Sequence, residues 1–152
     1  MLETSLYPAA LHVERELLAI AMENGEILNA CLAAGLKEHD FSLSDHRKVF
    51  SAMCSIQASG GPVNSIVIAD KLGDLLLVAS LMEIGPVVVK SHAIYYVQIL
   101  AKKRRLRVLA RLGEWLLQET IKLDADPDQL AEIVRRKLMQ RGANHGGERA
   151  VS

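Results

Sequence analysis

The stretch HDFSLSDHRKVFSAM, residues 39–53, joins a short polar turn to the start of an amphipathic helix. A turn that only reverses the chain needs Asp, Ser or Gly, so the aromatic Phe41 within it predicts a side chain that plugs into the core. Ser44 is placed to cap a helix over residues 45–59. That helix carries apolar residues at helical spacing, namely Val49, Phe50, Met53 and Ile56. We therefore expect Phe41 and Phe50 to anchor the turn, with His46 in a local hydrogen bond rather than in catalysis.

Helical spacing also predicts the elements on either side of this stretch. HVERELLAIAM (12–22) and EILNACLAAG (26–35) each show one apolar stripe, with Glu14 off the stripe of the first and Gly35 free to end the second in a left-handed conformation. In 62–73, Asn64 or Ser65 can cap a short helix that Gly73 closes. Residues 74–86 are apolar nearly all round, so we expect the most buried helix there.

From Ser91 the sequence predicts a helical hairpin. Residues 92–123 support one helix of up to roughly 45 Å, and Asp126 and Pro127 then begin a second helix that reaches about Gln140. So short a connection predicts antiparallel helices. The sequence thus predicts an all-α fold with an N-terminal arm (1–12), a compact multi-helix head (13–90), an antiparallel hairpin (91–140) and a disordered tail (141–152). The predicted core includes Leu17, Phe41, His46, Phe50, Met53, Ile68, Leu72 and Leu81.

Composition and charge limit the class of protein. The 152 residues are 50% hydrophobic and 4% aromatic, which is typical of one helical domain with an aliphatic core. We find neither a membrane-spanning run nor a secretory signal, which predicts a cytoplasmic protein without membrane contact. The net charge is zero, but residues 1–40 hold seven acidic and two basic residues, whereas residues 92–152 hold twelve basic and seven acidic residues. The two ends could attract each other or different partners.

Motifs for catalysis, metal ions and cofactors are weak. GPVVVKS (85–91) has Val89 where a phosphate loop needs glycine. His39, Asp40 and His46 lie close together in the sequence, but Asp40 is better explained as a turn residue, and no third and fourth ligand then appears at usable spacing. Cys31 and Cys54 fall on apolar stripes and are predicted to be buried free thiols. We expect no enzymatic activity, no cofactor and no metal site.

The basic stretch KKRRLRVLAR (102–111) has two interpretations. A solvated helix face is favoured, and contact with phosphates or with an acidic protein is the alternative. The candidate surface for a partner or for self-association consists of Tyr96, Arg104, Arg105, Arg107, Arg111, Trp115, Arg135 and Arg136.

The order of these motifs resembles the N-terminal domain of the DnaB-type replicative DNA helicases. The resemblance covers roughly residues 8–140 and rests on VERELLAIAM, HDFSLSDHRKVFSAM, IQASGGPVNSIVIADKL and YYVQILAKKRRLRVL. Two departures are Asn64, where the family usually has Asp, and GDLLLVASL, which replaces a Gly-Gly-aromatic segment. The 152 residues also lack the helicase motor and its phosphate loop, so helicase activity does not carry over.

The resemblance implies a helical head with a hairpin, pairing of hairpins into dimers, a collar above a hexameric motor ring and binding of primase. It predicts a non-catalytic oligomerisation and primase-docking module that acts in DNA replication as part of the primosome. The alternative is a free-standing DNA-binding or replication-regulating protein that uses the basic hairpin helix. A narrower alternative is a mimic of the helicase-binding end of primase.

Overall fold

The computed structural model describes the backbone of residues 7–83 and 90–151, and the side chains of residues 7–83 and 91–140. Within these ranges the regular elements are helices and no strand is present, which confirms the all-α prediction. The helices are α1 (Leu11–Ala21), α2 (Gly25–Ala33), a 3-10 turn (Glu38–Asp40), α3 (Ser44–Ala58), α4 (Ser65–Leu72), α5 (Leu75–Met82), α6 (Lys90–Thr120) and α7 (Pro127–Val151). None of the described helices is long and apolar enough to cross a membrane.

Local capping chemistry explains several helix ends. Asn64 Oδ1 accepts the Val67 amide at 2.9 Å and begins α4, as the sequence predicts. Gly73 ends α4 with φ at 67°, and Gly35 follows α2 with φ at 98°, the left-handed region that favours glycine. Asp74 Oδ1 accepts the Leu77 amide at 3.0 Å and begins α5 one residue after Gly73.

The start of α3 differs from the prediction. Ser44 is already the first helical residue, and the capping position belongs to Leu43, which makes no side-chain capping bond. The prediction of a Ser44 cap is therefore wrong by one position. A serine in helical conformation cannot direct its hydroxyl to the free amides of its own first turn.

The first compact unit extends to Arg107 and contains the core. Leu17, Phe41, His46, Phe50, Met53, Ile68 and Leu81 are buried, and Leu72 is half-buried against them. Helix α6 adds Ala93, Val97 and Leu100 to the same core, which is why this unit ends at Arg107 rather than near residue 90.

Helix α5 is not the most buried helix, contrary to the prediction. Val78 and Leu81 are its buried residues, whereas Leu75 is 70% and Leu76 83% exposed. An eight-residue helix presents one stripe to the core, and residues three apart share that stripe. Apolar composition alone does not determine how many faces are covered.

The second compact unit, from Val108, contains the end of α6 and all of α7. The Lys137 ammonium lies 4.4 Å from the centre of the Trp115 ring. Trp115 is five residues before the end of α6 and Lys137 ten residues after the start of α7, so the two helices run antiparallel, as predicted. The backbone of α7 continues to Val151, past the predicted end near Gln140. Residue 152 of the predicted tail lies outside the described residues.

Candidate interaction surfaces

A buried polar network holds the turn that precedes α3. Glu14 on α1 is fully buried and accepts three hydrogen bonds, from the Ser42 amide at 3.0 Å, the Ser42 hydroxyl at 2.6 Å and Nδ1 of His46 at 2.8 Å. The carboxylate thereby joins α1, the turn and α3. Its role in this network is structural.

Hydrogen bonds favour the ionised form of Glu14. Burial alone would raise the pKa of Glu14, but the hydrogen bonds from His46 and Ser42, together with the nearby His46 ring, outweigh burial and lower it. The sequence places Glu14 off the apolar stripe, and that expectation is wrong. Buried carboxylates need partners, and both partners of Glu14 lie about thirty positions away along the chain.

A second buried carboxylate, Asp40, lies in the 3-10 turn. Its Oδ2 accepts the Lys37 amide at 2.9 Å. No described residue donates a well-directed hydrogen bond to Oδ1, and Nε of Arg104 lies 3.1 Å from it as an ion pair. Burial raises the pKa of Asp40, and the Lys37 amide and the charges of Arg104, Lys37 and Arg107 only partly oppose that increase. Asp40 is thus the turn residue that the sequence predicts, with an added long-range ion pair.

Arg107 is an internal cross-link and not a surface residue, so its assignment to the candidate contact surface is wrong. It is 5% exposed. Nη1 donates to the Pro8 carbonyl at 3.0 Å, and Nη2 donates to the carbonyls of His39 at 3.0 Å and Asp40 at 3.1 Å. A guanidinium can satisfy several fixed carbonyls at once because its donors form a rigid fork. Arg107 therefore ties three segments of the first unit together.

The other predicted contact residues divide between the two units. In the first unit, Arg105 is exposed, Arg104 is half-buried beside Asp40, and Tyr96 is half-buried against the core. The Glu16 carboxylate accepts a hydrogen bond from the Tyr96 hydroxyl, which raises the pKa of Tyr96.

In the second unit, Arg111, Arg135 and Arg136 are exposed and Trp115 is half-buried beneath Lys137. Arg135 already pairs with Glu132 at 2.8 Å. Within the basic stretch 102–111, Arg104 and Arg107 make internal contacts. The stretch is therefore not a wholly solvated helix face.

The second unit exposes a set of large apolar side chains that the sequence does not single out. Leu117 is 67% and Ile121 78% exposed, and no side chain of residues 108–140 is buried. The predicted inward stripe of α7 is at best half-buried at Leu130, Ile133 and Val134, and exposed at Leu138. We call the following set the exposed hairpin residues: Leu109, Leu117, Ile121, Leu123, Leu138 and Met139.

Comparison with known proteins identifies the family. The family model described as "DnaB-like helicase N terminal domain" matches residues 7–102, which is more than half of the chain. The chain belongs to this family. The match includes both buried carboxylates and all partners of Glu14, whereas Arg104, the ion-pair partner of Asp40, lies just beyond it.

A solved structure supports the same assignment for the fold. The crystal structure of the N-terminal domain of DnaB helicase from Mycobacterium tuberculosis is similar to this DnaB-like domain with a TM-score of 0.74 and 21% sequence identity. The similarity covers 88% of this chain and 99% of that chain. A comparison with curated proteins found no match. Both matches are to N-terminal domains, and neither includes a helicase motor.

The two thiols of the DnaB-like domain, Cys31 and Cys54, have raised pKa values. Burial raises the pKa of the Cys31 thiol to about 11, and burial followed by the charge of Glu38 raises the pKa of Cys54. Both thiols are therefore poor nucleophiles near neutral pH. Among the described residues no group of three or more His, Cys, Asp or Glu side chains could hold a metal ion.

Proposed function

We propose that this DnaB-like domain is a non-catalytic interaction module of DNA replication that self-associates through its hairpin and docks a replication protein such as primase. The observation that carries the proposal is the set of exposed hairpin residues, in a unit where no side chain of residues 108–140 is fully buried. Helices in water owe most of their stability to packing of an apolar face. A hairpin whose apolar side chains are at most half-buried would be stabilised by a partner surface.

A second copy is the occupant that accounts for this surface most directly. Each aliphatic side chain that moves from water into an interface contributes about 1.5 to 3 kcal/mol when it becomes fully buried. In a symmetric dimer the same residues are covered on both copies, so each covered residue contributes twice. Membership of the DnaB-like family adds the helicase context, in which dimers would assemble further into a ring.

Sedimentation equilibrium of the full chain tests the self-association. We expect concentration-dependent dimers for the natural sequence and a monomer for Leu117→Glu combined with Met139→Glu. Ile66→Glu is the matched control because Ile66 is 80% exposed in the first unit, and it should leave the dimer unchanged. A natural chain that stays monomeric throughout the concentration range would refute this part of the proposal.

Docking of primase rests on the family context and is tested separately. Pull-down of purified primase and of purified helicase against the full chain distinguishes the two expected partners. Retention of primase supports docking, whereas retention of helicase alone would favour a protein that imitates the helicase-binding end of primase.

Contact with DNA through the basic stretch is the weaker alternative. Arg104 and Arg107 make internal contacts, which leaves fewer cations for phosphates than the sequence indicates. A mobility shift of labelled single or double strands that weakens steeply with salt would favour the alternative over self-association alone.

A further inference from the structure

Helix α5 exposes apolar side chains that the core does not use. Leu75 is 70%, Leu76 83% and Met82 42% exposed, and Ala79 between them is exposed as well. Leu75, Ala79 and Met82 follow each other at spacings of four and three residues, so they share one side of the helix, and Leu76 adjoins that side. We call these four residues the α5 face.

The polar groups beside the α5 face are used within the helix. The Ser80 hydroxyl donates to the Leu77 carbonyl at 2.7 Å, and Oδ1 of Asp74 accepts the Leu77 amide at 3.0 Å. What the middle of this helix offers to a partner is therefore aliphatic surface rather than a hydrogen-bonding side chain.

Acidic side chains lie at both ends of the α5 face. Asp74 directly precedes helix α5, Glu83 directly follows it, and Asp70 lies on the neighbouring α4, and all three are exposed. No ion pair among the described residues involves any of the three. With Lys71 included, residues 70–83 hold three acidic residues and one basic residue, for a net charge of −2. Such a surface favours a partner of the opposite charge.

The same charges oppose the pairing of two α5 faces with each other. In an antiparallel pair, Asp74 of one copy would meet Glu83 of the other, and in a parallel pair each carboxylate would meet its own equivalent. Both orientations bring like charges together at both ends of the contact, which is repulsive. The occupant that fits the charges is a different, basic segment.

We propose that the α5 face docks a basic amphipathic helix of another protein, with aliphatic side chains on Leu75, Leu76 and Met82 and with Lys or Arg beside Asp74 and Glu83. Nine positions separate Asp74 from Glu83, so the cations of the partner flank an apolar stripe about 14 Å long. This inference goes beyond the proposed function, because it uses the first unit and none of the exposed hairpin residues. The α5 face also lies in GDLLLVASL, where this chain departs from the family pattern.

Fluorescence anisotropy with two designed peptides tests the site. The probe is a labelled helix of about eighteen residues, about 27 Å long, with leucine on one side and lysine on the other. The comparison peptide has glutamate in place of every lysine. We expect the full chain to bind the lysine peptide at least about tenfold more tightly than the glutamate peptide, and added salt should reduce the difference.

Two double variants separate the apolar contribution from the charged one. Leu75→Ser with Leu76→Ser should weaken binding of the lysine peptide by about tenfold or more, because both side chains are exposed and aliphatic. Asp74→Asn with Glu83→Gln should weaken it by about threefold or more and make it less sensitive to salt. Asparagine at position 74 keeps an oxygen that can cap α5. Circular dichroism checks that each full-length variant is folded.

Matched controls make the same chemical changes elsewhere in the chain. Leu117→Ser with Ile121→Ser removes exposed aliphatic side chains from the second unit. Glu26→Gln with Asp45→Asn removes two exposed carboxylates from the first unit. Each control should change the affinity for the lysine peptide by less than about threefold.

Several outcomes would overturn the proposal. These are no binding of the lysine peptide, equal affinity for both peptides, or an equal loss in the Leu117 and Ile121 control, which would place the peptide on the second unit. Sedimentation equilibrium separates this test from that of the proposed function, because the Leu75 and Leu76 variant should keep the oligomeric state of the natural chain. An oligomer that dissociates in this variant would show that a second copy covers the α5 face, which also contradicts the proposal.

Discussion

Nδ1 of His46 lies 2.8 Å from Oε1 of Glu14, across 32 positions of the chain. Within the same turn, the ring of Phe41 has its centre 5.1 Å from the centre of the Phe50 ring. The turn is thus held both by a buried carboxylate with its hydrogen bonds satisfied and by the contact between two aromatic rings.

Removal of the Glu14 charge should destabilise the fold. Glu14→Gln replaces a carboxylate that accepts three hydrogen bonds with an amide that cannot accept all of them, at an expected cost of about 1 to 3 kcal/mol in the free energy of unfolding. Glu26→Gln is the control, because Glu26 is exposed. Urea unfolding at neutral pH measures both variants. Equal stabilities for the two would contradict the role of the network.

The same carboxylate predicts the acid dependence of stability. The pKa of Glu14 is lowered from its usual 4.5 in the folded chain, so its contribution is present above that value and is lost as the pH falls through the lower, folded pKa. Unfolding free energies from pH 7 to pH 3 should fall less steeply for Glu14→Gln than for the natural chain. Parallel curves would argue against an ionised Glu14.

The contribution of Asp40 to stability should depend on pH in the opposite direction from that of Glu14. Its pKa is raised above the usual 3.8, so the folded chain holds the proton more tightly than the unfolded chain does. The contribution of Asp40 is fully present below 3.8 and is lost as the pH rises through the folded pKa. The stability of Asp40→Asn relative to the natural chain should therefore improve with rising pH through this window. A relative stability that falls there would contradict the prediction, and Asp45→Asn, an exposed site, is the control.

Truncation of Phe50 tests the core assignment. Phe50→Ala removes a buried ring and its contact with Phe41, and should cost roughly 3 to 5 kcal/mol. Leu76→Ala, at an exposed position, should cost less than about 1 kcal/mol. Urea unfolding compares the two, and a loss below about 1 kcal/mol for Phe50→Ala would show that the ring is not a core residue.

Substitution of Arg107 and of the nearby Arg105 should have very different effects on the free energy of unfolding. Arg107→Ala leaves three carbonyls without their donor and should destabilise by about 2 to 4 kcal/mol, whereas Arg105→Ala, at an exposed position, should change stability by less than about 0.5 kcal/mol. Thermal and urea unfolding of both variants measure the difference. Similar effects at the two positions would contradict the buried role of Arg107.

The parts of the fold that the sequence predicts are governed by local chemistry. Three features depend only on residues within about four positions, namely helical spacing, the Asn64 cap and the left-handed glycines. A short window of sequence is therefore enough to predict them. The insertion of Phe41 was predictable because an aromatic residue is unusual in a polar turn. Glu14 and Arg107 were not, because their partners lie from 28 to 99 positions away. Amphipathic spacing assigns a charged residue to solvent unless its distant partner is known.

The candidate surface could be predicted only in part. The predicted residues contain the exposed Arg105, Arg135 and Arg136 but also the buried Arg107, since charge alone does not distinguish a surface cation from an internal donor. The sequence pattern does not identify which leucines of the second unit are exposed, because a leucine on a helix is typical of a core. Only the burial of each residue shows which aliphatic faces are left without neighbours.

The hydrogen bonds of the Arg107 guanidinium affect how the first unit unfolds locally. The guanidinium of Arg107, a residue of α6, donates to the carbonyl of Pro8 ahead of α1 and to two carbonyls of the 3-10 turn. Fluctuations that free one of these segments therefore remove a restraint on the other two, which favours their release as one cooperative group. Amide hydrogens around the turn and along this part of α6 should then exchange with solvent at a shared rate, although they are far apart in the chain.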